Sequence, residues 1–307
     1  MTSPRLVVVH RTSMFDQVVA EYGTAGQAAF MLAERGRSLD PLRRDHELLA
    51  AARAELLGRV PSSWRTAVVE RADLPRYLPD PEDVVVVVGQ DGLVANTAKY
   101  LHDQPVFGVD PVAGPQRSRL ALSTVDQVAR HLADGLAHVR ISSRTMVAAR
   151  TADGQRMDAL NEIFIGHPSH QSARYELSLP AGDGSAPSSA GSEARSEAQS
   201  SSGVVVGTGT GATGWLASLA LTDPGAPPLP DAESSELAFF VREAWPSPGT
   251  GTALTNGLLE AGSRLLLQAA CERLVVFGDG IESDRITLSW GQTVSVTASE
   301  RVLRLAR

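Results

Sequence analysis

The chain has 307 residues, of which 43% are hydrophobic and 21% charged, the balance of a soluble globular protein with one large domain or two ordinary ones. A formal net charge of -7 opposes general binding to nucleic acid or to anionic membranes, which needs an excess of Lys and Arg. Cys271 is the single cysteine, and no apolar run is long enough for a signal peptide or a membrane span. We therefore expect a cytoplasmic protein whose partners include neither nucleic acid nor membrane.

The first part of the chain alternates between strand and helix patterns. Thr24, with Gln27 three residues later, predicts the start of one helix, and a second helix is predicted over 41–57. Because such alternation is typical of a parallel sheet with crossover helices, we assign residues 1–120 to an α/β domain. Its strands are predicted from apolar and β-branched runs at 6–10, 67–70, 84–88 and 105–109.

The remainder of the chain, 121–307, is predicted to form a second, mostly antiparallel β domain. A helix over 123–136, opened by Thr124, is expected to join it to the first domain. Asp153-Gly154 is typical of a hairpin turn. Strand-like runs fall at 139–149, 157–166, 175–179 and 204–208, with more after 238.

Residues 180–202 carry no large apolar side chain and are rich in Ser, Ala, Gly and Glu. Such a segment cannot bury enough apolar surface to offset the entropy lost when it is ordered. The sequence therefore predicts a disordered loop at about 180–202, inside a hairpin formed by the strands at 175–179 and 204–208.

A Gly89-Gln90-Asp91-Gly92 turn follows the apolar strand at 84–88 and opens an amphipathic helix. The turn would bring Asp91 to the carboxyl end of a buried parallel strand, the edge at which α/β sheets bind ligands. The two glycines permit close backbone approach, and the helix N terminus offers free N–H groups to a phosphate. The alternative, an Asp that only caps its helix, explains the turn about equally well.

Two later segments combine polar side chains with strand ends. Asn161 and Glu162 interrupt an apolar strand, and a surface Glu beside an Asn in a bulge is favoured on this segment alone. The second segment, Val206 to Trp215, has three threonines and four glycines around a strand-to-helix turn. Its hydroxyl and backbone donors suit a ligand with hydroxyls or phosphates, and a plain tight turn remains an alternative.

Two further features are assigned no chemistry. Phe277-Gly278-Asp279-Gly280 is interpreted as an ordinary Asp-Gly hairpin turn. His167 and His170 form the one pair of histidines near metal-ligand spacing, and the Pro168-Ser169 pair between them indicates a loop. We therefore predict no protein-built metal site.

Taken together and in this order, the segments resemble the active-site motifs of the NAD kinase family. That family carries a Gly-Gly-Asp-Gly-Thr turn, an Asn-Glu pair and a Thr-Pro-Thr-Gly-Ser-Thr-Ala-Tyr segment. The matching stretches here are Gly89–Leu93, Asn161-Glu162 and Thr208–Trp215. The resemblance covers nearly the whole chain and is closest to the mitochondrial branch. It implies an NAD kinase-like fold, in which an α/β domain with a parallel sheet and a mostly antiparallel β domain enclose a nucleotide cleft.

The resemblance also implies roles for residues at the matching positions. Asp91 would be the general base that accepts the proton of the 2′-hydroxyl of the adenosine ribose of NAD, as that oxygen attacks the γ-phosphate of ATP. Gly89, Gln90 and Gly92 would approach the phosphates of ATP, which would bring Mg²⁺ with it. No tightly bound organic cofactor is implied, and the chain would form a homodimer or a higher homo-oligomer. The NAD-binding residues would be Asn161, Glu162, Thr208, Thr210, Gly211, Thr213, Trp215 and Ser218.

Two positions depart from the family motif where ATP would bind. Gln90 stands in place of a glycine, and Leu93 stands in place of a threonine. These departures leave open a non-catalytic protein that binds NAD or NADP as a sensor. A second alternative is a kinase that acts on a lipid or a sugar, because such kinases share a related glycine-aspartate turn. The Asn161-Glu162 pair and the Thr-Gly-Thr-Gly stretch argue against the lipid or sugar kinase.

Overall fold

The computed structural model describes residues 4–114, 116–180 and 194–307. Contacts within the chain divide it into two compact units. The first comprises Met1–Ser142 and Arg304–Arg307, and the second comprises Ser143–Leu303. Among the helices of the described residues, none is long and apolar enough to cross a membrane.

The first unit is built on parallel strands, as the sequence predicts. They are β1 (Arg5–His10), β2 (Arg65–Glu70), β3 (Val84–Val88) and β4 (Pro105–Val109). Their spatial order is β2-β1-β3-β4, and the C-terminal residues Arg304 and Leu305 pair in parallel with β4. Every valine of β3 is buried, as expected of a central parallel strand covered on both faces.

The helices of this unit confirm two of the predicted starts and add one that the sequence did not reveal. Thr24 and Thr124 cap their helices, each accepting a hydrogen bond from the N–H of a glutamine three residues later. The unpredicted helix begins after Ser13, and its apolar side chains Phe15, Val18, Val19 and Tyr22 are only half-buried. The helices are α1 (Met14–Tyr22), α2 (Ala25–Ala33), α3 (Asp40–Gly58), α4 (Asp91–Ala98) and α5 (Val125–Asp134).

Helix α5 belongs to the first unit and does not join the two. Val125 and Leu132 on its apolar face are buried in the same core as Phe107 of β4. The division between the units consequently falls at Ser142, later than the boundary near residue 120 that the sequence suggests.

The second unit is mostly antiparallel, as predicted. The strands are β5 (Ile141–Thr151), β6 (Arg156–Ala159), β7 (Glu162–Gly166), β8 (Ala173–Leu179), β9 (Arg195–Ser201), β10 (Gly203–Thr208), β11 (Leu237–Arg242), β12 (Asn256–Leu259), β13 (Arg264–Ala269), β14 (Leu274–Gly278), β15 (Ile281–Leu288) and β16 (Thr293–Ala306). In one layer the strands pair in the order β16-β13-β8-β9, and β5 pairs with β16 and with β6. The other layer is a six-stranded sheet in the order β12-β11-β10-β7-β14-β15. Buried residues from both layers share one core, in which Tyr175, Phe239 and Ile163 are among the largest side chains.

The predicted disordered loop at 180–202 is wrong over its last part. Strand β9 lies there and pairs antiparallel with β8, so the predicted hairpin between 175–179 and 204–208 is also wrong. Strand β10 pairs with β7 and β11 instead. Two polar side chains of β9 are buried and hydrogen-bonded: Ser201 meets the Tyr175 hydroxyl at 2.6 Å, and Gln199 donates to the Leu254 carbonyl at 2.9 Å. A pattern based on apolar residues cannot detect such a strand. Residues 181–193 of the predicted loop lie outside the described residues.

Candidate functional site

The Leu160–Glu162 segment joins β6 to β7 and is held on one side by Asp279, in the turn between β14 and β15. The carboxylate of Asp279 accepts hydrogen bonds from the N–H of Leu160 at 2.8 Å and of Asn161 at 2.7 Å. The N–H of Asp279 donates in turn to the Glu162 carbonyl at 3.1 Å. The favoured interpretation of residues 277–280 as an ordinary hairpin turn is therefore incomplete, because this turn also anchors a second segment.

On its other side the segment is held by the end of β10. The N–H of Thr208 donates to the Asn161 carbonyl at 2.9 Å, and the Thr208 hydroxyl donates to the Leu160 carbonyl at 2.6 Å. A Cβ atom on Gly211 would lie 2.4 Å from the Asn161 carbonyl oxygen, so only glycine fits there. Two stretches that are distant in the sequence are thus joined at one end of the six-stranded sheet.

The side chains of Asn161 and Glu162 are left without a hydrogen-bond partner in the described parts of the chain, although the backbone around them is well bonded. Both are half-buried. A half-buried amide and carboxyl group with unused hydrogen-bonding capacity are suited to contact a polar ligand. This arrangement disfavours the interpretation of Asn161 and Glu162 as an ordinary surface pair.

The carboxyl group of Glu162 is strongly perturbed. Burial, and to a smaller extent the nearby negative charge of Asp279, raise the pKa of Glu162 from 4.5 to about 7. A perturbed acid in a partly open position is typical of functional sites.

Glu162 shares one side of the six-stranded sheet with Trp215. Successive side chains of a strand point to opposite faces, so Glu162 lies on the same face of β7 as Phe164. The ring of Trp215, at the start of helix α6 (Trp215–Thr222), stacks on Phe164 with centroids 5.6 Å apart. The Arg242 guanidinium lies 5.4 Å from the Trp215 ring centroid.

The predicted NAD-binding residues of the β10 turn divide into two groups. The hydroxyl of Thr208 is buried and also accepts hydrogen bonds from the N–H groups of Thr210 and Gly211, at 3.1 and 3.3 Å. The hydroxyl of Thr210 is nearly buried and donates to the Ala232 carbonyl at 3.4 Å. Three hydrogen bonds use the Thr208 hydroxyl within the fold, so this hydroxyl shapes the turn, and the assignment of Thr208 to the NAD pocket stays a prediction. Thr213 and Ser218 are exposed, and Trp215 is half-buried.

In the first unit, Asp91 is the first residue of α4 and does not cap it. Gln90 occupies the cap position and makes no side-chain cap hydrogen bond. The carboxylate of Asp91 accepts hydrogen bonds from three consecutive backbone N–H groups, those of Arg119, Leu120 and Ala121, at 2.6, 3.0 and 2.8 Å. A carboxylate has about four acceptor positions, so one position on Oδ2 stays free of these bonds.

The residues around Asp91 show how the two departures from the motif are accommodated. Leu93 is buried and fills the space beside Gly89, where a Cβ atom would lie 2.9 Å from its Cδ2. Gln90 and Gly92 are exposed, and no atom lies within 4 Å of a Cβ built on Gly92. Of the predicted phosphate-binding residues, Gln90 and Gly92 are therefore accessible, whereas Gly89 is buried.

Sequence reasoning missed two contributors, Asp279 and the 119–121 loop. Both act through hydrogen bonds to residues distant in the chain. The Asp-Gly signal at Asp279 indicates only its own turn, and no local signal marks residues 119–121. Comparisons of the chain with family models and with curated proteins give no match.

Proposed function

We propose that the chain is an NAD kinase, which transfers the γ-phosphate of ATP to the 2′-hydroxyl of the adenosine ribose of NAD and yields NADP. The observation that carries the proposal is the hydrogen-bonded joining of the Leu160–Glu162 segment to the β10 turn. These two stretches match the family motifs that line one NAD pocket, and they are separate in the sequence.

In the proposed NAD pocket, Asn161 and Glu162 supply the polar contacts. The Asn161 amide offers both donors and an acceptor, and the Glu162 carboxyl group can accept from ribose hydroxyls. Thr213 and Ser218 add exposed hydroxyls, and the Trp215 ring offers an apolar surface. Thr208, Thr210 and Gly211 hold this surface in shape through the bonds described above.

In the proposed reaction, the 2′-oxygen attacks the γ-phosphorus of ATP, the bond to the bridging oxygen breaks, and ADP leaves. The proton of the 2′-hydroxyl passes to the free acceptor position on Oδ2 of Asp91. ATP enters as its Mg²⁺ complex, and the open space at Gly92 lets its phosphates approach the backbone. The proposal also includes assembly of the chain as a homo-oligomer and a cytoplasmic location.

A second candidate is a protein that binds NAD or NADP without turnover. The bonding of Asp91 favours it, because a carboxylate that accepts three backbone N–H groups already has a structural role of its own. Leu93 favours it as well, since this side chain occupies the space beside Gly89.

One experiment separates the two candidates. Purified protein is incubated with Mg²⁺, ATP and NAD, and NADP is detected with a coupled dehydrogenase that accepts NADP alone. Parallel calorimetry measures NAD binding. A kinase binds NAD and forms NADP. Binding of NAD with no NADP formed from ATP, from other nucleoside triphosphates or from polyphosphate would support the sensor, and absence of both would overturn both candidates.

A further inference from the structure

We infer that Asp279 is a positioning residue, which fixes the backbone of the Leu160–Glu162 segment so that the Asn161 and Glu162 side chains meet the dinucleotide. The inference rests on the proposed function and extends it to a residue that no motif identifies. Asp279 itself is not assigned a contact with the substrate.

The hydrogen bonds of Asp279 cover the whole segment. One carboxylate oxygen accepts from Leu160 and the other accepts from Asn161, at 2.8 and 2.7 Å, across 119 and 118 residues of sequence. The backbone of Asp279 donates to the Glu162 carbonyl at 3.1 Å. Bonds between an ionised carboxylate and N–H groups are stronger than neutral ones. Three consecutive residues are therefore fixed by one side chain and its own backbone.

The hairpin turn itself does not need this carboxylate. Asp279 has a φ of +52°, a left-handed conformation in which glycine would be less strained. Asp153 lies in another Asp-Gly turn of this unit, and within the described ranges its side chain bonds to Thr151 and Gln155 of that same turn. The two turns show that an Asp-Gly hairpin can form without any bond to a distant segment.

The carboxylate also has an electrostatic cost at this place. Its charge acts on Glu162, which is half-buried and whose side chain carries no hydrogen bond among the described residues. Two carboxyl groups placed together are unfavourable for stability. Glycine would suit this turn, and the charge of Asp279 lies beside a second acidic group. We attribute the presence of Asp279 to the hydrogen bonds by which it fixes the Asn161 backbone.

Fixing this segment from both sides favours binding. Thr208 bonds to it from the end of β10 and Asp279 bonds to it from the turn after β14, so binding a ligand orders few additional groups. Rigid placement of binding groups lowers the entropy lost on association, and small displacements of such groups are costly.

The test uses three variants of the full chain. Asp279→Gly suits the left-handed turn and removes the anchor, and Asp279→Asn keeps one acceptor oxygen in a residue that tolerates this conformation. Asp153→Gly is the matched control in the other turn. We expect Asp279→Gly to weaken NAD binding by about 10-fold to 100-fold and Asp279→Asn to recover part of the loss. Asp153→Gly is expected to bind NAD like the parent.

Calorimetry gives the Kd for NAD, and steady-state kinetics give KM separately for NAD and for ATP. Asp279→Gly should raise KM for NAD and leave KM for ATP unchanged, which a general loss of structure would not do. If both Asp279 variants bind NAD with the parental affinity, the inference is overturned and the proposed function is unaffected. The same holds if Asp153→Gly loses as much NAD affinity as Asp279→Gly. A parent protein that binds no NAD would overturn the proposed function, and the inference with it.

Discussion

Two turns of this protein, one in each unit, use an aspartate in the same way. Asp91 lies between Gly89 and Gly92, and Asp279 lies between Gly278 and Gly280. Each carboxylate accepts hydrogen bonds from consecutive backbone N–H groups of a distant segment. They differ in what lies beside them, since Asp279 is close to the acidic group of Glu162 whereas Asp91 lies between the exposed residues Gln90 and Gly92. The comparison shows that the local sequence of a glycine turn does not separate a chemical role from an anchoring role.

The largest effect is expected from Asp91→Asn, which tests whether Asp91 does more than anchor. Asn keeps an oxygen that can accept from the 119–121 loop but cannot take up a proton at neutral pH. We expect kcat for NADP formation to fall by about 10² to 10⁴-fold while NAD affinity is retained. The coupled NADP assay and calorimetry provide the two measurements.

Asp103→Asn is the matched control for that change, because Asp103 is an exposed aspartate of the same unit. Its kcat should equal that of the parent. If Asp91→Asn forms NADP at the parental rate, Asp91 serves only as an anchor, as Asp279 does.

Glu162→Gln tests the electrostatic cost in the second unit. The pKa of Glu162 is raised in the folded protein to about 7 from 4.5, so the native state loses stability as pH rises from 4.5 to 7. Gln removes this loss. We expect the variant to gain about 2 to 3 kcal/mol in the free energy of unfolding at pH 8, and the gain to vanish near pH 4.

Urea unfolding at both pH values measures this difference. Glu260→Gln, at an exposed glutamate of the same unit, should change stability little at either pH. Equal stability of Glu162→Gln and the parent at pH 8 would show that Glu162 is not strained by burial and by Asp279.

The smallest effect is expected from Thr208→Val, which removes the anchor on the β10 side. The Leu160 carbonyl and the N–H groups of Thr210 and Gly211 would each lose a bond to the hydroxyl. We expect a loss of about 1 to 3 kcal/mol in the free energy of unfolding. Thr213→Val, at an exposed threonine of the same turn, should change it by less than about 0.5 kcal/mol. Equal stability of Thr208→Val and the parent would show that the Thr208 hydroxyl does not stabilise this turn.

Features that depend on local pattern could be predicted from the sequence. The valines of β3 indicate a strand buried on both faces, and Thr24 and Thr124 mark helix starts, because these signals lie within a few residues. Strand β9 could not be predicted, because the burial of its polar side chains depends on hydrogen-bond partners such as Tyr175 and Leu254, which only the folded chain provides.

In the candidate site, too, the features with a local signal could be predicted, and those that depend on distant residues could not. Asn161, Glu162 and the β10 turn could be recognised as polar departures from apolar strands, and the structure joins them. The anchoring of the segment by Asp279, and that of the 119–121 loop by Asp91, could not be predicted. Each depends on which strand ends become neighbours, and short sequence windows do not encode that arrangement.

The central claim is that this chain moves a phosphoryl group from ATP to NAD, and ³¹P NMR of one reaction mixture tests it most directly. Purified protein with Mg²⁺, ATP and NAD should show the phosphates of ADP and one new phosphate monoester, on the ribose 2′-oxygen, growing in equal amounts. A spectrum in which folded protein leaves ATP and NAD unchanged, or releases free phosphate without the monoester, would contradict the account.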